Sequence, residues 1–137
     1  MQLGKNTKIE LIKNVPLFAH CSRKELAEIA ALADEMDFPA GKEIIREGER
    51  GREFFILLDG GADVIRSGRR IAHLAKGDFV GEIAVIARIP RTATVKTTEP
   101  TRALVVTDQA LRALLRRLPD MQLKVLQAVA ERLVASH

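Results

Sequence analysis

The most informative segment of the chain is Gly77-Asp78-Phe79-Val80-Gly81-Glu82-Ile83-Ala84-Val85-Ile86-Ala87-Arg88-Ile89-Pro90-Arg91-Thr92-Ala93-Thr94-Val95. Its glycines predict a turn, residues 82–87 predict a short apolar helix, and the alternation that follows the arginine predicts a strand. Free backbone N–H groups at a helix start attract anions, and a guanidinium offers a planar fork of donors to phosphate oxygens. Gly81 has no side chain that would block a ligand. This segment is therefore predicted to hold an anion.

Glu82 is the unexpected member of the segment, because a carboxylate repels an anion. Its presence is understandable if it accepts hydrogen bonds from sugar hydroxyls and pairs with Arg91. Phosphate, ribose and a flat apolar base together describe a nucleotide. Taken one residue at a time, the segment also reads as a strand, a turn and a core helix with a solvated Arg91. The ordered set of residues favours the nucleotide interpretation.

This order of residues resembles the phosphate-binding cassette of the cyclic-nucleotide-binding domain family, which includes catabolite-activator-protein-like and protein kinase A regulatory-subunit-like sensor domains. The family pattern runs Gly-Asp-x-Phe-Gly-Glu, an apolar run, a few variable residues, and then Pro-Arg followed by Ala, Thr or Ser, by Ala, by Ser or Thr, and by Val. The chain matches this pattern from Gly77 to Val95. One departure is the aromatic residue, which lies at Phe79, so that Val80 directly precedes Gly81.

The resemblance implies that the chain binds a cyclic nucleotide and requires no cofactor. Arg91 would take the phosphate charge, with the backbone N–H groups near Ile83 and Ala84 on the other side of the phosphate. Glu82 would accept the ribose 2′-hydroxyl, and its alternative role is a helix-start carboxylate favoured by the dipole. The residues implied for the phosphate and the ribose are Gly81, Glu82, Ile83, Ala84, Arg91, Thr92 and Ala93.

The residue after the arginine bears on the base. In this family the position of Thr92 is often alanine in cAMP sites and threonine in some cGMP sites, but threonine also occurs in members that prefer cAMP. We therefore expect cAMP first and cGMP as a close second, unless Thr92 only begins the strand. If the strand register follows the family, Val64, Ala72 and Leu74 form an apolar wall for the base. In some members an arginine at the position of Arg132 stacks on the purine as a lid, and the alternative is a solvated residue near a helix C-terminus.

Composition describes an ordinary globular chain of 137 residues with 22 basic and 18 acidic residues and a net charge of +4. The basic residues are spread along the chain and aromatic residues are few, which favours solvated charge over a nucleic-acid surface. No apolar run is long enough to span a membrane, no export signal is apparent, and Cys21 stands alone. The three histidines have no metal-ligand spacing. We expect a cytoplasmic protein without a metal site.

The pattern predicts one domain over residues 1–137, mainly β with flanking helices. Residues 1–34 form an N-terminal helical segment that includes a capping box. Residues 35–106 form a jelly-roll-like eight-stranded β-roll that carries the cassette at 77–95, and residues 107–137 form two C-terminal helices. The predicted strands are Met36–Phe38, Ile44–Arg46, Phe54–Leu58, Ala62–Arg66, Ile71–Ala75, Phe79–Val80, Ala93–Thr98 and Arg102–Val106.

The last helix, predicted from about Asp120 to Ala135, is apolar on two stripes. The stripes consist of Leu123, Leu126, Ala130 and Leu133, and of Val125 and Val129. Such a wide apolar surface must cover something. The candidates are the ligand pocket, the β-roll and the same helix of a second copy, which would make a homodimer.

Three function classes follow from these features. The first is a stand-alone cyclic-nucleotide sensor that relays binding to an unknown effector by movement of the last helix. The second is the ligand-sensing fragment of a transcription regulator, channel or kinase. Direct DNA binding is not expected, because the turn at Leu118–Asp120 lacks a glycine and no basic recognition helix follows it. The third is an enzyme on a similar roll, which is disfavoured because only His73 lies in the predicted strands and no nucleophile has an evident partner.

Overall fold

The computed structural model describes residues 3–82 and 87–135, without the side chains at positions 132 and 133. The chain divides into two compact units. Asp34–Asp108 form the first, which we call the β unit. Met1–Ala33 and Gln109–His137 form the second, which we call the helical unit.

The described part of the β unit contains eight strands, which confirms the predicted β-roll. All pairings are antiparallel, and the strands form two four-stranded sheets with the orders β1-β8-β3-β6 and β2-β7-β4-β5. Two predicted strands have the observed bounds, and the bounds of the others differ by one or two residues. The strands are β1 Asp34–Phe38, β2 Glu43–Ile45, β3 Glu53–Asp59, β4 Ala62–Arg66, β5 Arg69–Leu74, β6 Phe79–Val80, β7 Thr94–Thr97 and β8 Thr101–Thr107.

The core of the β unit lies between its two sheets and draws side chains from both. The cluster includes Phe55 of β3, Val105 of β8 and Val95 of β7, all of them buried. Phe38 packs edge-on against Phe55, with ring centroids 6.1 Å apart. Strands β3 and β8 are buried on both faces, which explains why each reads as a continuous apolar run rather than an alternating one.

The turn between β3 and β4 lies in close contact with the connection between β7 and β8. Gly60 has a φ of +89°, and a Cβ atom at this position would lie 2.5 Å from the carbonyl oxygen of Pro100. The buried Thr101 hydroxyl has the carbonyl oxygens of Glu99 and Gly61 within hydrogen-bond distance of its Oγ1, at 2.8 and 3.1 Å, and its single proton is donated to one of them at a time. Only glycine meets both requirements at position 60, the left-handed backbone and the close approach.

In the described residues, the helical unit begins with two α-helices separated by a 3-10 helix and ends with two further α-helices. Ser22 forms the predicted capping box: its Oγ accepts from the Glu25 N–H at 3.2 Å, and the Glu25 carboxylate accepts from the Ser22 N–H at 2.8 Å. This box fixes the start of the helix that follows Ser22. The helices are α1 Lys5–Lys13, a 3-10 helix Pro16–Phe18, α2 Arg23–Leu32, α3 Asp108–Arg117 and α4 Pro119–Ala135.

The last helix, α4, buries Val125 of one predicted stripe and exposes Leu123, Leu126 and Ala130 of the other, whose Leu133 side chain lies outside the described residues. Val125 is buried together with Met121 and Ala128, two residues that the prediction did not include. Leu123 and Leu126 of the other stripe are 68% and 63% exposed. The apolar pattern identified both faces but could not show which of them is buried.

Ion pairs connect α4 to the N-terminal part of the helical unit. The Lys124 ammonium donates to the Glu25 carboxylate at 2.6 Å, and His20 contacts Glu131. Burial raises the pKa of the nearby Cys21 thiol to about 11, with a further rise from the charge of Glu25. The thiol is therefore protonated near neutral pH. No helix in the described ranges is both long enough and apolar enough to cross a membrane.

Candidate ligand-binding site

A cavity of about 230 Å³ lies in the β unit where the cassette meets strands β4 and β7. Its lining includes five of the seven residues predicted for the phosphate and the ribose, namely Gly81, Glu82, Arg91, Thr92 and Ala93. The other two, Ile83 and Ala84, lie outside the described residues. Residues that are ten positions apart in the sequence therefore line one cavity.

Arg91 is buried beside this cavity, with 7% of its surface exposed. Its two terminal nitrogens donate to backbone carbonyls, one to Gly81 at 3.1 Å and the other to Glu53. Burial lowers the pKa of the Arg91 guanidinium, and the carboxylates of Glu53, Glu82 and Asp108 oppose that shift. The group is still a cation, since an arginine does not lose its proton in a protein. The cavity wall thus contains a buried positive charge.

The main chain of Arg91 is held as firmly as its side chain. Its N–H donates to the carbonyl of Glu49 at 2.7 Å, and its carbonyl accepts from the N–H of Gly48 at 2.8 Å. Pro90 forms an isolated bridge with Arg50 one step earlier. The connection between β2 and β3 therefore positions the arginine before any ligand is bound.

Gly81 allows the arginine to lie where it does. Its φ is +96°, and a Cβ atom there would lie 2.6 Å from the Arg91 Nη1 and 3.1 Å from the carbonyl oxygen of Glu53. Any other residue would be strained in its backbone and would displace the guanidinium. The predicted role of Gly81, which was room for a ligand, thus includes room for Arg91.

Glu82 follows directly and is 4% exposed. Its negative charge favours the charged form of the Arg91 guanidinium. The backbone is helical at Glu82 and at Ala87. A buried carboxylate at the cavity wall can accept hydrogen bonds from sugar hydroxyls.

The residues predicted to contact the base fall into three groups. Thr92 and Val64 line the cavity. Ala72 is exposed directly opposite Val64 in the β4–β5 pair, and Leu74 packs against the core of the β unit; neither lines the cavity. Arg132 belongs to α4, and its side chain lies outside the described residues.

Six residues of the described lining were absent from the predicted site, and Arg66 is the one among them with a charged side chain; the six are Ile45, Arg66, Val80, Ile89, Pro90 and Val95. Arg66, the last residue of β4, lines the cavity, and its Nε donates to the Thr92 carbonyl at 3.1 Å. The pairing of Ile65 with Thr94 brings these two segments together. This pairing joins residues about thirty positions apart, and no local sequence signal reports it. The turn residues Ser67 and Gly68 indicated only where this strand ends, and they did not indicate what its last residue contacts.

A metal centre receives no support from the structure. Within residues 3–82 and 87–135, no group of three or more histidine, cysteine, aspartate or glutamate side chains is placed to hold a metal ion. His73 pairs instead with Asp63, at 2.8 Å between Nδ1 and the carboxylate. The chemistry of the cavity is therefore that of two guanidinium groups, a buried carboxylate and an apolar wall.

Known proteins share this segment and this fold. The model of the cyclic nucleotide-binding domain family matches residues 35–118. The chain is 36% identical over 126 residues to a provisionally named potassium channel protein of Rhodopseudomonas palustris, an alignment that covers 89% of this chain and 30% of that protein. It is 35% identical over 105 residues to the cAMP-dependent protein kinase regulatory subunit of Mycosarcoma maydis, covering 72% of this chain and 20% of that protein. The chain thus spans less than a third of the length of either relative.

A solved structure supports the same conclusion about the fold. The crystal structure of the N-terminal domain of a transcriptional regulator from Streptomyces coelicolor A3(2) matches with a TM-score of 0.83 at 26% identity, covering 93% of this chain and 94% of that chain. The matched residues include the whole cassette with its arginine and every described residue that lines the cavity. Two sheets with this strand order, the buried cation and the matched sequence lead to one conclusion: the chain belongs to the cyclic nucleotide-binding domain family.

Proposed function

We propose that the chain is a sensor module that binds cAMP, with cGMP as the second-ranked ligand, in the cavity of the β unit. The observation that carries this proposal is the buried guanidinium of Arg91 beside Gly81 and Glu82. Burial of a cation costs free energy, and an anion bound next to it recovers part of that cost. A ligand with one negative charge suits a site that also contains a carboxylate.

The contacts follow from the chemistry of each group. Arg91 donates to the cyclic phosphate, and the backbone N–H groups of Ile83 and Ala84 complete the phosphate site. Glu82 accepts the ribose 2′-hydroxyl, so a 2′-deoxy analogue should bind more weakly. Thr92 and Val64 contact the base, and Ala93 closes the wall beneath it. A ligand of roughly twenty heavy atoms at about 0.3 kcal/mol each gives a Kd on the order of 10 μM or tighter.

Calorimetric titration tests this function with three ligands. cAMP and cGMP should both show saturable binding heats, and cAMP should have the lower Kd. Linear 5′-AMP should bind at least about tenfold more weakly than cAMP. The linear nucleotide has the same base and sugar but a phosphate of different charge and shape. Equal affinity for the cyclic and linear forms, or no binding of either cyclic nucleotide, would reject the proposal.

We propose further that binding is relayed by α4 as a shift between two conformational populations. Support comes from the contacts of α4, which include ion pairs at Lys124 and Glu131 that can form or break without unfolding the helix. Hydrogen–deuterium exchange of residues 119–135 should change when cAMP is added. The same exchange rates with and without ligand would exclude a relay through this helix.

The exposed face of α4 supports a homodimer as the partner. Leu123, Leu126 and Val134 are exposed, and Ala130 lies between them with the three-and-four spacing of a helix-pair seam. Sedimentation velocity should show a dimer that the double substitution of Leu123 and Leu126 by lysine dissociates. A monomer at micromolar concentration would reject this part of the proposal.

The second candidate is the ligand-sensing part of a larger channel, kinase regulator or transcription regulator. The relatives favour it, because the chain spans only a fraction of two of them and matches one domain of a third protein. The effector would then be covalently attached, and the cavity and its ligand would be the same. A salt-dependent gel shift with this chain alone tests the remaining DNA-binding alternative and is expected to be negative.

A further inference from the structure

The cavity has a second cation that the cassette does not supply. Arg66 lines it from the end of β4, whereas Arg91 lines it from the cassette. Glu82 is the one carboxylate in the described lining, so the ionisable side chains there are two guanidinium groups and one carboxylate. The excess of one positive charge matches the single negative charge of a cyclic phosphate.

The two arginines differ in how many donors remain for a ligand. Both terminal nitrogens of Arg91 already donate to backbone carbonyls. Arg66 uses only its Nε, which donates to the Thr92 carbonyl at 3.1 Å. Its two terminal nitrogens have no hydrogen bond or ion pair with any residue in the described part of the chain. Arg66 is also exposed, so its donors reach a ligand without breaking an internal contact.

The Nε hydrogen bond also orients Arg66. Thr92 directly follows Arg91, so this bond holds the Arg66 guanidinium at the residue beside the proposed phosphate ligand. The guanidinium is planar, and fixing one N–H therefore fixes the directions of the other donors. In a cavity this small, a phosphate at Arg91 lies within Coulomb reach of Arg66 as well.

We propose that Arg66 is a second cationic contact for the cyclic phosphate, with its Nε on the Thr92 carbonyl and its terminal nitrogens on an exocyclic phosphate oxygen. This inference rests on the proposed function, because it requires a cyclic nucleotide in the cavity. In this arrangement, two different segments of the chain contact the phosphate. The cassette supplies the buried cation, and the β4–β5 hairpin supplies the exposed one.

Substitution of Arg66 and of a matched neighbour tests the inference. Arg69 faces Arg66 across the same hairpin, is exposed and does not line the cavity, so Arg69→Gln removes the same charge from nearly the same place. Arg66→Gln should weaken cAMP binding about tenfold, and Arg69→Gln less than about twofold. Arg66→Lys keeps the charge and should stay within about threefold of the wild type.

Two further readouts separate a phosphate contact from a purely structural role. Loss of a contact between charged groups should make the fall of affinity with added salt shallower in Arg66→Gln than in the wild type. The two phosphorothioate diastereomers of cAMP replace one exocyclic oxygen each with sulfur. The penalty for one of them should shrink in Arg66→Gln, because that variant no longer contacts the replaced oxygen.

The outcomes are distinct. Equal affinities for Arg66→Gln and Arg69→Gln would overturn the role of Arg66 while leaving the cassette site intact. A loss shared by Arg66→Gln and Arg66→Lys, with the wild-type salt dependence, would overturn it in favour of an internal bond to Thr92. A wild-type chain that binds no cyclic nucleotide would overturn the proposed function itself and this inference with it.

Discussion

The β unit and the helical unit use their polar side chains in different ways. In the β unit, the buried side chains of Arg91, Thr97 and Thr101 donate to backbone carbonyls, for example Thr97 Oγ1 to Pro39 at 2.7 Å. In the helical unit, the buried Glu25 carboxylate instead forms an ion pair with Lys124 on a distant segment. The first kind fixes loops to one another, and the second kind joins helices that are already formed.

This difference suggests a division of tasks. A hydrogen bond from a buried hydroxyl to a carbonyl does not change with pH or salt near neutrality, so these contacts hold the loops of the β unit together under most conditions. Ion pairs near the surface contribute little and weaken as salt rises. A module that must present a constant site and also change conformation would need both kinds of contact, and the proposed relay through α4 uses the weaker kind.

The sharpest test of the comparison is Gly60→Ala in the β unit. The added methyl group would lie 2.5 Å from the Pro100 carbonyl oxygen and would also strain a φ of +89°. We expect a loss of about 3 kcal/mol or more in the free energy of unfolding, measured by chemical denaturation. Gly68→Ala is the control, because its φ is +78° but nothing lies within 4 Å of the added atom, and it should cost only about 1–2 kcal/mol. Equal losses would show that the close approach at Gly60 contributes nothing.

The second largest effect is expected for Arg91→Lys, which keeps the charge but not the fork of donors. The carbonyls of Gly81 and Glu53 lose their partner, and the ligand loses a charge-assisted bond. Affinity for cAMP should fall about thirtyfold, near 2 kcal/mol. Arg50→Lys, at an exposed neighbouring position, should leave the affinity unchanged. Wild-type affinity in Arg91→Lys would show that the Arg91 guanidinium does not contact the ligand.

A smaller effect is expected in the helical unit, for Ser22→Ala. The substitution removes the oxygen that accepts from the Glu25 N–H and should lower the free energy of unfolding by about 1 kcal/mol. Ser22→Asn supplies another capping oxygen and should recover most of the loss. A loss of unfolding free energy larger than that of Gly60→Ala would show that the local contacts of the helical unit contribute more to stability than those of the β unit.

The pH dependence of the Glu25–Lys124 pair gives a further, weaker test. Burial alone would raise the pKa of Glu25, but hydrogen bonds from Lys124 and from Ser22 hold it below the ordinary 4.5. The contact with Glu25 raises the pKa of Lys124 above 10.5. The stabilisation of the fold by this pair is therefore complete between pH 4.5 and pH 10.5, the two ordinary pKa values. It declines as the pH falls through the lowered pKa of Glu25. It also declines as the pH rises through the raised pKa of Lys124.

Lys124→Met isolates this contribution. The difference in unfolding free energy between this variant and the wild type should be constant from pH 6 to pH 9, and it should shrink once the pH is low enough to protonate Glu25. Lys96→Met, at an exposed position of β7, should show no such dependence. A difference that persists unchanged in acid would mean that Lys124 contributes through packing and not through its charge.

The smallest effect is expected for an exposed pair, Arg23 with Glu10, whose charged atoms lie 3.4 Å apart. Arg23→Gln should change the free energy of unfolding by less than about 1 kcal/mol, and added salt should abolish the difference. Thermal unfolding at low and high salt measures this. A larger loss of unfolding free energy that does not depend on salt would show that this contact behaves like the buried hydrogen bonds of the β unit.

The sequence allowed accurate prediction where a local signal specified the structure. The Ser22 capping box, the start of the last helix near Asp120 and the strand Ala62–Arg66 depend on neighbouring residues, and the structure has all three to within one residue. The cassette was recognisable because its residues are ordered along one short segment. Arg66 was missed because it reaches the cavity only through the pairing of β4 with β7, which no local pattern reports. The buried face of α4 was undecided for the same reason, since two apolar stripes compete and only tertiary packing selects one.

The main-chain hydrogen bonds that hold Arg91 make its position depend on chain length more than on residue type. They are made by the N–H of Gly48 and the carbonyl of Glu49, atoms that every residue except proline provides. Libraries that vary positions 49 and 50 at constant length should therefore retain ligand affinity in most members. Insertion of a single residue in this turn should abolish it, because the arginine would be displaced by one backbone step from the glycine that accommodates it.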